Sequence, residues 1–294
     1  MNKFSIIAAS MLAIASTSAF ADETKAPVTA KVFGEVRAFV EATSQDDVDA
    51  SVQSTSSKLG VVANAEVAEN ISVFGELSGD VDVNSANALT TRFGYAGVQH
   101  DKLGAVSFGK HMSLMEIFVD KGDQFFEGGN VGVQKQGFYQ SNSVRYMNKM
   151  GDIEIGALAV MTDDAQNEAI DSFQIGAGFA GIGVAYAFDN VADIGHYGIG
   201  VERKFGPILV AGSLSMTDAA TDVIGYEAVV GYDLNDSLTI KGGYGDTDAA
   251  NDDGVITGAT EYKFGNSGAI GFATVDYDLD SEDWTARSGI SFTF

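Results

Sequence analysis

ARSGISFTF, residues 286–294, carries the chain to its last residue. Read from Trp284, alternate positions divide cleanly. Trp284, Ala286, Ser288, Ile290, Phe292 and Phe294 fall on one side; Thr285, Arg287, Gly289, Ser291 and Thr293 fall on the other. A period of two describes a strand with one apolar and one polar face. Chain ends fray unless something holds them. A strand that runs to residue 294 therefore needs a neighbour beside it.

The same alternation recurs upstream in about sixteen segments. They lie near 28–42, 57–68, 71–80, 89–99, 104–111, 141–148, 151–161, 172–179, 182–188, 196–205, 207–215, 223–233, 237–245, 255–264, 268–276 and 284–294. In GDIEIGALAV (151–160), Ile153, Ile155 and Ala157 oppose Asp152, Glu154 and Gly156. No stretch shows an amphipathic helix. The connections alternate in kind. Short ones carry turn residues: Asn70, Asp101-Lys102, Met150-Gly151, Gly181, Gly206-Pro207, Asn235-Asp236 and Asn266-Ser267. Longer ones lie at 44–56, 80–88, 112–140, 162–171, 189–195, 216–222, 246–254 and 276–283. These hold 26 Asp and Glu but only two basic residues, Lys121 and Lys135. The negative charge is thus gathered at one end of a meander.

An even number of antiparallel strands, with short turns at one end and long loops at the other, predicts a transmembrane up-and-down β-barrel. A strand of ~10 residues at ~3.3 Å each, tilted by ~40°, crosses the ~25 Å apolar band of an outer membrane. No backbone group can go unpaired in lipid, so the sheet must close. The last strand is then held by the first, 28–42. Tyr262, Phe264, Phe292 and Phe294 fall at the short-turn rim, where an interfacial aromatic girdle is expected. A soluble β-sandwich or propeller explains the alternation, but not the one-sided acidic loops.

The first residues agree with export. MNKFSIIAASMLAIASTSAFA has a lysine at position 3, an apolar run from Phe4 to Ala15, and Ala19-Phe20-Ala21 as a small-x-small cleavage site. Residues 1–21 read as a secretory signal peptide that is removed, leaving 22–294 as one barrel domain. The chain has no cysteine, which excludes a disulfide scaffold and a thiolate zinc site. Its formal charge of −24 disfavours nucleic acid as a partner. FQIGAGFAGIGVAYAF (173–188) is apolar, yet its four glycines break it at Gly181 into strand, turn and strand.

Several motifs are weighed and set aside. GAVSFGKH (104–111) is one residue from a phosphate-binding loop, but His111 replaces the metal-binding Ser or Thr and the residues alternate as in a strand. GAGFAG (176–181) matches G-x-G-x-x-G, but a strand follows it, so no helix N-terminus awaits a pyrophosphate. His100, His111 and His196 lack metal-ligand spacing. A Ser–His–acid site is recognised by geometry rather than order, so a barrel hydrolase stays open as an alternative, as does a surface adhesin or receptor. Nothing nominates a nucleophile, and no cofactor is expected. DTDAANDDG (246–254) is as rich in carboxylates as a calcium loop but lacks its twelfth-position glutamate. Asp246, Asp248, Asp252 and Asp253 are weak divalent-ion candidates in what reads as an acidic external loop.

TRFGYAG (91–97), LGAVSFGK (103–110), a long loop holding EGG (127–129), NSVRY (142–146) and the terminal aromatic together resemble the general diffusion porins of Gram-negative bacteria. The resemblance covers nearly the whole of 22–294. It implies a sixteen-stranded barrel of the outer membrane, assembled as a homotrimer, in contact with lipid bilayer and lipopolysaccharide. It further implies that Phe294 is a signal read by the barrel-assembly machinery. The family's third loop, here 112–140, folds into the lumen, and its acids face basic residues on the wall. Carried over, the loop acids are Asp123 and Glu127. The wall residues are Lys58, Arg92 and Lys110, with Arg37 and Lys135 as further candidates. Two positions depart from the family pattern: Glu35 stands where a basic residue is usual, and Phe126 stands where proline is usual before the loop acid.

The expected function is a water-filled channel for ions and small hydrophilic solutes. Opposed charges across a narrow gap order water and favour polar solutes. The acidic connections form a negative vestibule that concentrates cations, while the basic wall opposes them. With Glu35 tipping the balance, modest cation selectivity is expected.

Overall fold

The computed structural model describes residues 28–44, 50–54, 57–82, 89–129, 137–162, 170–249 and 254–294. Residues 1–21, with the leader expected there, lie outside the described residues, as do Lys135, Asp252 and Asp253.

The strands are β1 (Thr29–Thr43), β2 (Ser51–Gln53), β3 (Ser57–Ala68), β4 (Ile71–Val81), β5 (Leu89–His100), β6 (Gly104–Met112), β7 (Tyr139–Met150), β8 (Ile153–Met161) and β9 (Ile170–Phe179). They continue as β10 (Ile182–Asp189), β11 (Ile194–Phe205), β12 (Ile208–Asp218), β13 (Val223–Asp233), β14 (Leu238–Thr247), β15 (Val255–Lys263), β16 (Ala269–Asp278) and β17 (Trp284–Thr293). Each long strand pairs antiparallel with the next. The short β2 and the long β3 both pair with β1, so they share one position and the barrel has sixteen staves. At the break between them, the Ser57 hydroxyl accepts from the Arg37 N–H (2.9 Å) and donates to the Arg37 carbonyl (3.1 Å). A hydroxyl is both donor and acceptor, so it can replace a missing backbone partner.

Closure settles what holds the last strand. β17 pairs with β1 from Glu35↔Thr293 to Thr43↔Thr285. Phe294 then exchanges both backbone hydrogen bonds with Gly34, at 3.0 Å each. Its ring lies over Gly34, where a Cβ would leave it no room. Every stave now has two neighbours, as a sheet in lipid requires.

The burial pattern is inside out. Val32, Val36 and Val40 on β1, Val184 on β10, Ile199 on β11 and Ile290 on β17 are exposed. The buried side chains on the opposite face include Ser107, Ser143, Gln174, Ser213, Ser215, Glu227 and Ser291. Proteins that fold in water show the reverse preference. The apolar face is the outer one, and lipid covers it. Aromatic side chains mark both ends of that band. Phe179, Phe205, Tyr232, Tyr262, Phe264, Phe292 and Phe294 are exposed near the short turns. Phe173, Tyr186 and Phe188 cluster near the long connections, as do Tyr226 and Tyr244. Amphipathic rings favour these two interfaces.

Two features depart from the sequence reading. β2 lies within the connection 44–56, and a helix, Leu114–Phe118, lies within 112–140. Five residues are too few to display a helical period. The helix is capped by Ser113, whose hydroxyl accepts from the Glu116 N–H.

Candidate functional site

The segment after β6 meets the polar face of stave after stave, in order. The Leu114 N–H donates to Gln174 Oε1 on β9 at 2.6 Å. Phe118 lies against Gly176, Gly178 and Gly183 on β9 and β10, and Val119 against Gly198 and Gly200 on β11. The N–H groups of Lys121 and Gly122 both donate to Ser213 Oγ on β12, at 2.9 Å each. Lys241 on β14 donates to the Gln124 carbonyl. Phe126 stacks on Phe272 of β16, with centroids 5.4 Å apart. Finally Arg37 on β1 donates to the Phe126 carbonyl and to Glu127 Oε1, the latter at 2.9 Å.

The glycines explain why this path is open. A Cβ at Gly183 would strike the Phe118 carbonyl, and one at Gly200 the Val119 carbonyl. The dismissed GAGFAG motif thus provides a side-chain-free surface on which a helix can lie. Leu114, Met115, Phe118 and Val119 are buried there with Leu158, Ala185 and Ala187. Burying a large apolar side chain stabilises by about 1.5–3 kcal/mol, so these four anchor the start of the segment. Phe125 anchors the later part among Ala211, Val229 and Ala259.

Beside the end of this segment lies a cavity of about 520 Å³. Arg37, Lys58 and Arg92 line it, as do Asp123 and Glu127, together with Lys241 and Glu261. Four of these were expected as wall or loop charges from their motifs, and Arg37 as a further candidate. Lys241 and Glu261 were missed, although a charge within a membrane-spanning strand must face the lumen. Lys110 does not line the cavity. It sits at the register shift between Gly109 and His111, where its Nζ donates to the Thr91 carbonyl (2.6 Å) and lies 4.9 Å from the Tyr139 ring centre.

A model of the Gram-negative porin family matches residues 8–284. The chain belongs to that family. Among curated proteins none matches it by sequence. Its fold is similar to that of OmpF from Salmonella typhi, solved in complex with daunomycin: TM-score 0.75 and 14% identity, covering 90% of this chain and 97% of that one. It is also similar to OmpT, an outer membrane protein of Vibrio cholerae, in its trimer form: TM-score 0.70, 18% identity, 91% and 99% covered. An anion-selective porin from Comamonas acidovorans gives TM-score 0.70 at 12% identity, with 91% and 100% covered. Family and lipid-facing band together make this porin a channel of the Gram-negative outer membrane.

The cations of this porin's cavity are all paired. Glu35, 6% exposed, holds Arg37 and Lys58 at once, the latter at 2.7 Å, and accepts from Ser291 (2.7 Å). Arg92 pairs with Asp80 at 2.9 Å, and Lys241 with Glu261. Nearby, Arg287 bridges Glu41 (2.7 Å) and Asp276. Arg37 also lies 5.0 Å from the Phe126 ring centre, on the residue that replaces the usual proline. The wall therefore carries its own acids, in addition to those of the loop segment.

The remaining candidates are placed as follows. Asp246 accepts from the Tyr226 and Tyr244 hydroxyls, both at 2.7 Å, and Asp248 accepts from the Ile224 N–H. Both are thereby tied to the strand ends. Among the described residues, the carboxylates close enough together to hold a metal are those of Glu116, Asp120 and Asp123. Only Glu116 lies in the helix Leu114–Phe118; Asp120 and Asp123 follow it in the irregular part of the segment, and the sequence reading did not group the three. His111 is fully buried, with Nε2 2.9 Å from Ser107 Oγ and Nδ1 2.7 Å from Ser143 Oγ. His196 lies 3.0 Å from Thr217 Oγ1, and His100 Nδ1 accepts from the Lys102 N–H.

Proposed function

We propose that this porin is a passive, modestly cation-selective diffusion channel for ions and small hydrophilic solutes. Its constriction is formed where the segment 112–140 folds into the lumen and brings Asp123 and Glu127 opposite Arg37, Lys58 and Arg92. The ordered contacts of residues 114–127 with the polar face, from β9 round to β1, support the inward course. The observation that carries the selectivity is Glu35, a single buried carboxylate bonded to both Arg37 and Lys58. A cation whose charge is matched by a carboxylate a few ångströms away presents little net field to a passing anion. Asp80 and Glu261 do the same for Arg92 and Lys241. The acids of the loop segment and of the long connections then tip the path negative.

The homotrimer, export on a leader at 1–21, contact with lipopolysaccharide and assembly through the terminal Phe294 belong to the same reading. The trimer form of the Vibrio cholerae neighbour supports the first. A barrel hydrolase would need a solvent-facing histidine beside a nucleophile. His111, with both ring nitrogens engaged by serine hydroxyls and no exposed surface, offers none.

The test is the reversal potential of the purified protein in a planar bilayer across a KCl gradient, at two ionic strengths. The expected sign is a cation preference that is larger at low salt, because the Debye length grows from ~3 Å at 1 M to ~10 Å at 0.1 M. An anion preference at low salt, the selectivity that the name of the Comamonas protein states for that one, would show that the basic wall governs this pore.

A further inference from the structure

A second cavity, of about 320 Å³, lies on the short-turn side of the helix Leu114–Phe118. Ile117 and the edge of Phe118 give it an apolar side, with Gly178 and Gly183 beneath Phe118. Its charges are of both signs: Lys121 and Lys149 against Asp152 and Glu154. Lys149 and Glu154 are direct cross-strand partners in the β7–β8 ladder, so their side chains share a face. Glu154 is in turn paired with Gly178, which has no side chain to cover it.

Around the larger cavity each cation has an acid partner. Here, among the described residues, the side chains of Lys149, Asp152 and Glu154 have no ion pair and no hydrogen bond. Lys121 Nζ donates to the Ile117 carbonyl at 2.6 Å, which leaves two of its three protons to give. Unspent charges of both signs beside an aromatic ring select a particular chemistry. An anion meets the repulsion of Asp152 and Glu154, and a cation that of the lysines. A neutral apolar solute leaves all four charges unanswered.

We propose that this cavity is a binding shelf for a small zwitterion with an apolar side chain, the chemistry of an apolar α-amino acid or short apolar peptide. Its ammonium meets Asp152 and Glu154, its carboxylate meets Lys149 and Lys121, and its side chain lies against Ile117 beside the edge of Phe118. The volume, at the small end of ligand sites, suits one or two residues. The shelf rests on the channel reading in one respect: solute reaches it through the short-turn mouth.

Equilibrium dialysis of radiolabelled L-leucine against the purified, folded porin in detergent tests the shelf without requiring conduction. Saturable binding at about millimolar concentration is expected. Leucinamide, which lacks the carboxylate, and isocaproate, which lacks the ammonium, should each bind about tenfold more weakly, the effect of one charge-assisted contact. Lys149→Gln with Glu154→Gln should weaken leucine by at least about tenfold. The swap Lys149→Glu with Glu154→Lys, which keeps both charges, should retain binding. Failure of leucine to bind saturably, or equal binding by the double Gln variant, would overturn the shelf. If that variant fails to fold, the swap and the two analogues still decide. Conductance recorded on the same preparation keeps the readings apart: an open channel without leucine binding sinks the shelf alone, and binding without conductance sinks the channel alone.

Discussion

Glu35 shows how much one side chain can change a pore. It directly follows Phe33-Gly34, faces the lumen, and takes hydrogen bonds from Arg37, Lys58 and Ser291. Replacing it with glutamine removes one negative charge and keeps an acceptor for Ser291, so the barrel should still close. Arg37 keeps Glu127, but Lys58 loses the acid it is bonded to. We expect Glu35→Gln to move the reversal potential toward anions. The ceiling is set by one charge about 4 Å from the ion path, roughly 1 kcal/mol in water, or about fivefold in permeability ratio. Lys58→Met should move it the other way. No shift in either variant would mean that the ion path avoids β1 and β3. At this scale the sequence was partly legible. Motif positions nominated Lys58, Arg92, Asp123 and Glu127, with Arg37 as a further candidate, but not their partners. Asp80 and Glu261 are set by registers and side-chain directions that no local pattern records.

Among the elements, the strands were legible and the segment between β6 and β7 was not. Alternation is a local signal, so each of the sixteen alternating segments corresponds to a stave. A short helix has no such signal, and its position depends on glycines far along the chain: Gly176 and Gly183 receive Phe118, and Gly198 and Gly200 receive Val119. The glycines of 176–183 looked like a strand break or a nucleotide motif because the group that needs their space is about sixty residues away in the chain, and for Gly198 and Gly200 about eighty. If the segment narrows the lumen, replacing residues 116–127 with a short Gly-Ser linker should raise single-channel conductance. It should also reduce ion discrimination, since Asp123 and Glu127 leave with it. The staves should survive, because their ladder bonds are made with one another. Unchanged conductance would place the segment outside the permeation path.

On the scale of the whole barrel, Phe294 extends the closing β1–β17 ladder by one more pair. Phe294 gives and receives a backbone hydrogen bond with Gly34 and covers it with its ring. Deleting it leaves the Gly34 N–H and C=O unpaired at the seam, where each unpaired polar group away from water costs about 1–3 kcal/mol. Assembly should suffer more than synthesis. The measure is the fraction of protein with the heat-modifiable gel mobility of a closed barrel, against total protein. A normal fraction would refute both the closure role and the assembly signal.

The charge of the barrel is also distributed along its axis, and a cation-selective channel built this way should conduct with a direction. The long connections hold 26 acids and two bases. At the other rim, Glu66, Glu69, Asp101, Asp152, Glu154, Glu202, Asp233 and Asp236 stand against Lys31, Lys102, Lys149, Arg203, Lys204 and Lys263, close to balance. On the cation-selective reading proposed above, cations carry most of the current in the acidic mouth but share it with anions at the balanced one. When cations are driven from the acidic mouth inward, they arrive at the junction faster than they leave it. Anions arriving from the other side cannot pass, so salt accumulates there and conductance rises. Reversing the voltage depletes the same zone. At ~0.01 M salt, where the Debye length is about 30 Å, the acidic field reaches deep into the pore. The current–voltage curve should then be asymmetric, larger for cations entering from the long-loop side. At ~1 M, with screening within about 3 Å, it should be straight. Mg²⁺ on one side only identifies the acidic mouth, because added there it should abolish the asymmetry and added opposite it should not. A straight curve at low salt would show that the acidic connections stand away from the ion path, and the selectivity would then rest on Glu35 and its neighbours alone.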